Sequence, residues 1–64
     1  MKTNELKSLM VLHGYTQEKL AKELNMATNT FNRKLNNGEF GLDEAKKIVK
    51  LLDIDNPNYI FFDL

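Results

Sequence analysis

The stretch Thr16–Leu35, TQEKLAKELNMATNTFNRKL, decides the fold because two segments of different character meet within it. Its first half has the apolar spacing of an amphipathic helix. Thr16 is a good N-cap for that helix, and Asn25 tolerates the left-handed conformation that ends helices. The residues expected on the buried side are Leu20, Ala21 and Leu24. The first half therefore predicts a short helix followed by a tight turn.

The second half of this stretch is open to two interpretations. Asn and Thr favour turns and have low helix propensity, so the segment taken alone is typical of a solvated loop. However, Phe31 and Leu35 are four residues apart, which places them on one face of a helix. Between Asn25 and Gly38 there are two cations and no carboxylate. We predict a helix that is held by Phe31 and Leu35 and has a polar outer face suited to a negative partner.

Helices are also predicted on both sides of this stretch. Thr3 is expected to cap a first helix that ends at residues 13–14, and a fourth helix is expected to begin near Leu42. A short last helix would have Asn56 as its cap and Pro57 at its first position. The other residues expected to face the core are Leu6, Leu9, Met10, Leu12, Phe40, Ala45, Ile48, Val49 and Leu52. The pattern predicts an all-α fold, a compact bundle of five short helices.

Length and composition exclude several classes of protein. A chain of 64 residues is long enough for one domain, which we place at residues 1–64. It has no cysteine and one histidine, so a disulfide, a thiolate metal site or a Cys/His nucleophile pair is not expected. We predict no catalytic residue, no metal and no cofactor. No apolar run exceeds four residues, which excludes a membrane span and favours the cytoplasm.

The formal net charge of zero conceals an uneven distribution. Residues 1–50 carry nine Lys/Arg against six Asp/Glu, a net charge of +3. Residues 51–64 carry three Asp and no cation, a net charge of −3. A mildly basic body with an acidic tail can present one cationic face to a partner, although a basic total is the commoner mark of nucleic-acid binding.

Several of these segments together resemble the Cro and phage-repressor family, the Xre-like or lambda-repressor-like DNA-binding domains. The matching segments are GYTQEKLAKELNMATNTF at Gly14–Phe31 and LDEAKKIVKLL at Leu42–Leu52, with Leu35 and Gly38 between them. Ala27 differs, since the family often has a capping Ser or Thr there. The resemblance implies a helix-turn-helix at residues 16–36, whose second helix lies in the major groove of DNA.

The resemblance also implies roles for individual residues. The positions that match base-contacting ones are Thr28, Asn29 and Arg33, and their side chains suit thymine, adenine and guanine, respectively. Gln17 matches the family's phosphate-contacting glutamine at the start of the first helix of the pair. The other expected phosphate contacts are Thr16, Thr30, Asn32, Lys34 and Asn36. We therefore expect a regulator that binds a double-stranded DNA operator and is encoded by a phage or prophage.

The C-terminal segment YIFFDL carries more apolar side chains than a small core can take from six residues. Exposed apolar patches usually mark interfaces, so we predict a homodimer that uses this end. The residues assigned to the interface are Tyr59, Ile60, Phe62 and Leu64. The same features leave a second function open, in which the chain is an interaction module, such as an antirepressor or antitoxin, that binds another regulatory protein.

Overall fold

The computed structural model describes residues 1–62, and these form five α-helices and no strand, as the sequence predicts. The described residues are compact, with principal extents of 29 × 22 × 19 Å. Among them, no helix combines the length and the apolar character that crossing a bilayer requires. The helices are α1 (Thr3–Leu12), α2 (Gln17–Glu23), α3 (Thr28–Asn37), α4 (Leu42–Leu51) and α5 (Pro57–Phe62).

The turn between α2 and α3 has the predicted geometry. Thr16 is the N-cap of α2, and its hydroxyl accepts a hydrogen bond from the Lys19 N–H at 3.1 Å. Asn25 has a φ of 60°, the left-handed conformation expected of it. The Met26 N–H then donates to the Ala21 carbonyl at 3.0 Å, which closes the turn. The short connection fixes α3 against α2.

The polar segment after this turn is a helix and not a loop. Phe31 and Leu35 are both fully buried, and the Phe31 ring lies 5.4 Å from the Phe40 ring, centroid to centroid. Burying two large apolar side chains in this way stabilises the helix by several kcal/mol at about 1.5–3 kcal/mol each, more than the low propensity of Thr and Asn opposes. Gly38, with a φ of 67°, ends α3 in the left-handed conformation.

The core lies between all five helices. The fully or nearly buried side chains are Leu6, Met10, Leu20, Ala21, Leu24, Phe31, Leu35, Ala45, Ile48, Leu52, Ile54 and Ile60. The expectation that Leu12 faces the core is wrong, because 77% of it is exposed. Two residues beyond the buried Met10 correspond to about 200° around a helix, which turns Leu12 to the opposite side.

The predicted capping role of Thr3 is also wrong. Lys2 occupies the N-cap position of α1, and Thr3 is already helical. The Thr3 hydroxyl instead donates to the Leu35 carbonyl at 3.1 Å. Carbonyls in the last turn of a helix lack partners within the helix, so this bond satisfies one of them at the end of α3. The start of α1 is thereby joined to the end of α3.

Candidate nucleic-acid interface

The outer face of α3 is a polar surface on a helix whose inner face is fixed. Thr28, Asn29 and Arg33, the three predicted base contacts, are all exposed. Asn29 and Arg33 are four residues apart, so their side chains lie one turn from each other on the same side of the helix. Because Phe31 and Leu35 point into the core, the rotation of α3 about its axis is determined. The structure therefore leaves all three residues exposed, with Asn29 and Arg33 on the side of α3 that faces away from the core.

The first turn of α3 has an unusual cap. Ala27 is at the N-cap position and has no side chain that could accept a hydrogen bond. Asn29 supplies an acceptor instead, because its Oδ1 accepts a hydrogen bond from the Thr30 N–H at 2.9 Å. One of the amides that the helix start leaves without a partner is thereby satisfied. To bind adenine through both the oxygen and the nitrogen of its carboxamide, Asn29 would give up the bond to the Thr30 N–H and form bonds to the base instead.

The second half of α3 contacts two carboxylates that the sequence analysis missed. Arg33 Nη1 lies 3.4 Å from Glu39 Oε1, and Lys34 Nζ lies 2.7 Å from Glu44 Oε2. Asn37 Nδ2 also donates to Glu39 Oε1 at 3.2 Å. Residues 25–38 contain no carboxylate, but carboxylates from later in the chain therefore lie beside the helix. The signal for this contact in the sequence is the glycine at position 38, because a left-handed residue after a helix turns the chain back over the last helical turn.

The two ion pairs differ in their surroundings. The Arg33 and Glu39 side chains are 58% and 52% exposed, whereas those of Lys34 and Glu44 are each 24% exposed. The hydrogen bond from Lys34 lowers the pKa of Glu44, partial burial opposes this, and the Gly41 N–H, donating at 2.9 Å, lowers it further. The carboxylate of Glu44 is therefore charged at neutral pH and joins the end of α3 to the start of α4.

The predicted phosphate contacts occupy different environments. Thr16 and Asn36 are exposed, while Gln17, Thr30 and Lys34 are half-buried. Asn32 is also half-buried, and within residues 1–62 its Oδ1 has no hydrogen-bond partner and is itself buried. A phosphate contact from this residue would have to use the amide nitrogen, which is the donor that a phosphate oxygen requires.

The residues assigned to a dimer interface differ in their exposure. Ile60 is 2% exposed because its side chain is part of the core of the monomer. Its assignment to an interface is therefore wrong. Tyr59 and Phe62 are exposed, at 39% and 54%, and the Tyr59 hydroxyl donates to the Glu5 carboxylate at 3.0 Å. Leu64 lies outside the described residues. Apolar exposure on α1, at Val11 and Leu12, was not anticipated.

Within residues 1–62, no group of three or more His, Cys, Asp or Glu side chains could hold a metal ion. The site is instead a surface of amide, hydroxyl and guanidinium groups on one helix, supported by a second helix at a fixed angle. Such groups can form hydrogen bonds to base edges and phosphates.

Comparison with known proteins agrees with this geometry. Residues 5–58 match the model of the Cro/C1-type helix-turn-helix DNA-binding domain, a match that covers more than half of the chain and includes α2, α3 and the turn between them. The chain belongs to this family, which confirms the resemblance to Cro and the phage repressors. It is accordingly a helix-turn-helix protein of the DNA-binding, transcription-regulating kind. No curated protein and no solved structure matches it.

Proposed function

We propose that the chain is a sequence-specific transcriptional regulator that occupies an operator in double-stranded DNA, with α3 in the major groove. The observation that carries this proposal is the contrast within α3, where Phe31 and Leu35 are fully buried while Thr28, Asn29 and Arg33 are exposed. A helix held in this way can enter the groove without losing its own contacts with the core. The likeness to Cro supports a phage or prophage origin.

Each base-reading residue has a distinct task in this proposal. Asn29 binds adenine through its carboxamide, and Arg33 binds guanine through two guanidinium N–H groups. Thr28 offers a hydroxyl and a methyl group, which suit a thymine. These contacts provide sequence preference, each good bidentate pair contributing about 1–3 kcal/mol of discrimination.

The phosphate contacts determine orientation and not sequence. Gln17 and Thr16 at the start of α2 would meet the backbone on one side of the groove. Thr30, Asn32, Lys34 and Asn36 would meet it along α3. Most of these groups are uncharged, and Lys34 is already paired with Glu44 at 2.7 Å. The salt dependence of binding would therefore be modest for each chain, because counterion release follows the number of phosphates that cations neutralise.

Two chains on one operator would place two α3 helices about 34 Å apart along the DNA, one helical turn of the duplex. The exposed Tyr59 and Phe62 on α5 support pairing through that end, because exposed aromatic side chains are enriched in interfaces. We propose a homodimer on a palindromic operator. A mass equal to one chain, measured by light scattering at high micromolar concentration, would count against it.

The test of the function is selection of bound duplexes from a randomised DNA library, followed by affinity measurements on the enriched duplex over a salt series. We expect enrichment of a palindromic sequence. Its affinity should fall by about 0.9 log units per log unit of salt for each phosphate neutralised. Weak binding to all duplexes, without enrichment, would contradict the proposal.

A second function is supported by the carboxylates beside α3. Glu39 and Glu44 pair with Arg33 and Lys34, the two cations of that helix, and this reduces the attraction of the surface for DNA. The chain would then be an interaction module that binds another regulatory protein through its exposed apolar residues. A library selection without enrichment favours this alternative, and enrichment of one sequence argues against it.

A further inference from the structure

We propose that Glu39 is a positioning residue that determines how strictly Arg33 reads its base. This inference rests on the proposed function, in which Arg33 binds guanine. Glu39 lies two residues beyond the last residue of α3, and neither the sequence pattern nor the family match assigns it a role. Two observations support the proposal, namely where the backbone of Glu39 is held and which groups its carboxylate contacts. A physical argument about what changes when α3 enters the groove completes it.

The backbone of Glu39 is fixed against the last turn of α3. The Lys34 carbonyl accepts hydrogen bonds from the Gly38 and Glu39 N–H groups, the latter at 2.9 Å. Gly38 permits this arrangement with its φ of 67°, and a Cβ added there would also lie 3.3 Å from the Met1 Cβ. The side chain of Glu39 is therefore brought back over the helix that precedes it and does not depend on a long mobile loop.

The carboxylate of Glu39 contacts two residues of the reading helix through one oxygen. Oε1 accepts from Arg33 Nη1 at 3.4 Å and from Asn37 Nδ2 at 3.2 Å. Arg33 and Asn37 are one turn apart, so Asn37 helps to hold the carboxylate over Arg33. A guanidinium has five N–H donors, and a bond through Nη1 leaves enough of them to bind guanine O6 and N7.

The effect of this contact should increase when α3 enters the groove. In the free protein both side chains are more than half exposed, so solvent weakens the ion pair. In the groove, less water surrounds the pair and its electrostatic interaction strengthens. Without Glu39, the flexible arginine could turn to the nearby phosphates, which every DNA sequence provides. Glu39 thus favours the base-reading position of Arg33, while its negative charge weakens binding to all DNA.

The proposal predicts opposite changes in two measured quantities when Glu39 is replaced by alanine. Binding to random duplex should become tighter because a negative charge near phosphates is removed. Preference for guanine should become weaker by about threefold to tenfold, a fraction of what a bidentate arginine provides. The test uses the duplex enriched by the unaltered chain and the same duplex changed at the base pair whose preference is lost in Arg33→Ala.

Two further variants separate positioning from charge. Asp43→Ala removes the same charge from an exposed residue at the start of α4, so it should tighten binding to random duplex and leave the guanine preference unchanged. Glu39→Gln retains an oxygen that can accept from Arg33, so it should restore part of the preference. Equal effects of Glu39→Ala and Asp43→Ala on the guanine preference would overturn the proposal.

The role of Glu39 through Arg33 is tested by combining Glu39→Ala with Arg33→Ala. In the absence of Arg33, removing Glu39 should not change preference at that base pair, and a change there would overturn the proposal. The NMR order parameter of Arg33 Nε provides a test without DNA: it should fall in Glu39→Ala but not in Asp43→Ala. If the unaltered chain enriches no duplex, the proposed function fails and the role of Glu39 fails with it. If a duplex is enriched but Glu39→Ala keeps the same guanine preference, only the role of Glu39 is overturned.

Discussion

The helices α3 and α5 are built on the same plan but expose different chemistry. Each buries its apolar side, Phe31 and Leu35 in α3 and Ile60 in α5. The exposed residues of α3 are amides, hydroxyls and a guanidinium, whereas those of α5 include the aromatic side chains of Tyr59 and Phe62. The buried residues therefore determine where each helix lies, and the exposed residues determine what it can bind. This difference is the reason for proposing that α3 binds DNA and that α5 meets another protein surface.

The largest effect should follow from removing a buried residue of either helix. Phe31→Ala should lower the free energy of unfolding by about 3–5 kcal/mol, and Ile60→Ala by about 2–5 kcal/mol, because each leaves a cavity. Urea unfolding followed by circular dichroism measures both. Phe31→Leu and Ile60→Val are the controls and should lose much less. A small loss in Phe31→Ala would mean that α3 is not held by this contact.

The exposed residues of α3 should affect DNA binding much more than folding, since Asn29→Ala loses only one local hydrogen bond, to the Thr30 N–H. Asn29→Ala and Arg33→Ala should each weaken binding to the enriched duplex by about 1–3 kcal/mol and relax the preference for one base. Gln17→Ala should weaken binding to all duplexes evenly. Fluorescence anisotropy with enriched and random duplexes distinguishes these outcomes, and Lys50→Ala removes a cation from α4 as a control. Equal losses on both duplexes for all three variants would contradict the assigned roles.

The exposed residues of α5 should affect association between chains instead. Phe62→Ser should raise the dissociation constant of the dimer by an amount equivalent to about 1–2 kcal/mol, as expected for an aromatic contact at an interface. Analytical ultracentrifugation over a concentration series measures it. Val11→Ser, which removes an exposed apolar residue of α1, is the matched control. An identical response to both substitutions would mean that α5 has no special part in association.

The smallest expected effect concerns the attachment of α3 to α4 through Lys34 and Glu44. Because the pKa of Glu44 is lowered in the folded chain, its contribution to stability is present above the carboxyl's usual pKa of 4.5 and is lost as the pH falls through the lower folded value. Glu44→Gln should therefore be less stable than the unaltered chain at pH 7, by no more than about 1 kcal/mol, and nearly equal to it at pH 3.

Urea unfolding at the two pH values tests this prediction. Asp43→Asn, which changes an exposed carboxylate one residue earlier, is the control and should show a smaller difference between pH 7 and pH 3. Glu44→Gln could instead be less stable than the unaltered chain by the same amount at pH 3 as at pH 7. That result would show that the ion pair does not cause the loss of stability.

Local sequence patterns predicted much of the fold because they report local physics. The four-residue spacing of Phe31 and Leu35 predicted α3 against the propensity of the residues between them, since burial outweighs propensity. The cap at Thr16 and the left-handed Asn25 follow from side-chain properties that need no tertiary context. Thr3 could not be assigned in this way, because its hydroxyl bonds to the Leu35 carbonyl, 32 residues further along the chain.

The candidate site was less predictable than the fold. The exposure of Asn29 and Arg33 follows from the burial of Phe31 and Leu35, and Thr28 is exposed at the first position of α3, but the contacts of all three with DNA stay predictions. Glu39 and Glu44 were missed because their approach to α3 depends on how the chain reverses at Gly38, which is a property of the tertiary structure. Ile60 was misplaced because the number of apolar residues in the last segment does not indicate which of them completes the core.

For the proposed operator-binding function, the bond from Thr3 to Leu35 has a consequence for how a new operator could be acquired. The end of α3 is held mainly by a hydroxyl of α1 and by the backbone after Gly38, because the exposed side chain of Arg33 contributes little through Glu39. The bond from the Thr30 N–H to Asn29 and the exposed pair of Arg33 with Glu39 each contribute about 1 kcal/mol or less. Other substitutions at exposed positions usually change stability by less than about 0.5 kcal/mol. Successive mutations could therefore replace the residues at positions 28, 29 and 33 and change one base preference at a time, while every intermediate sequence still folds.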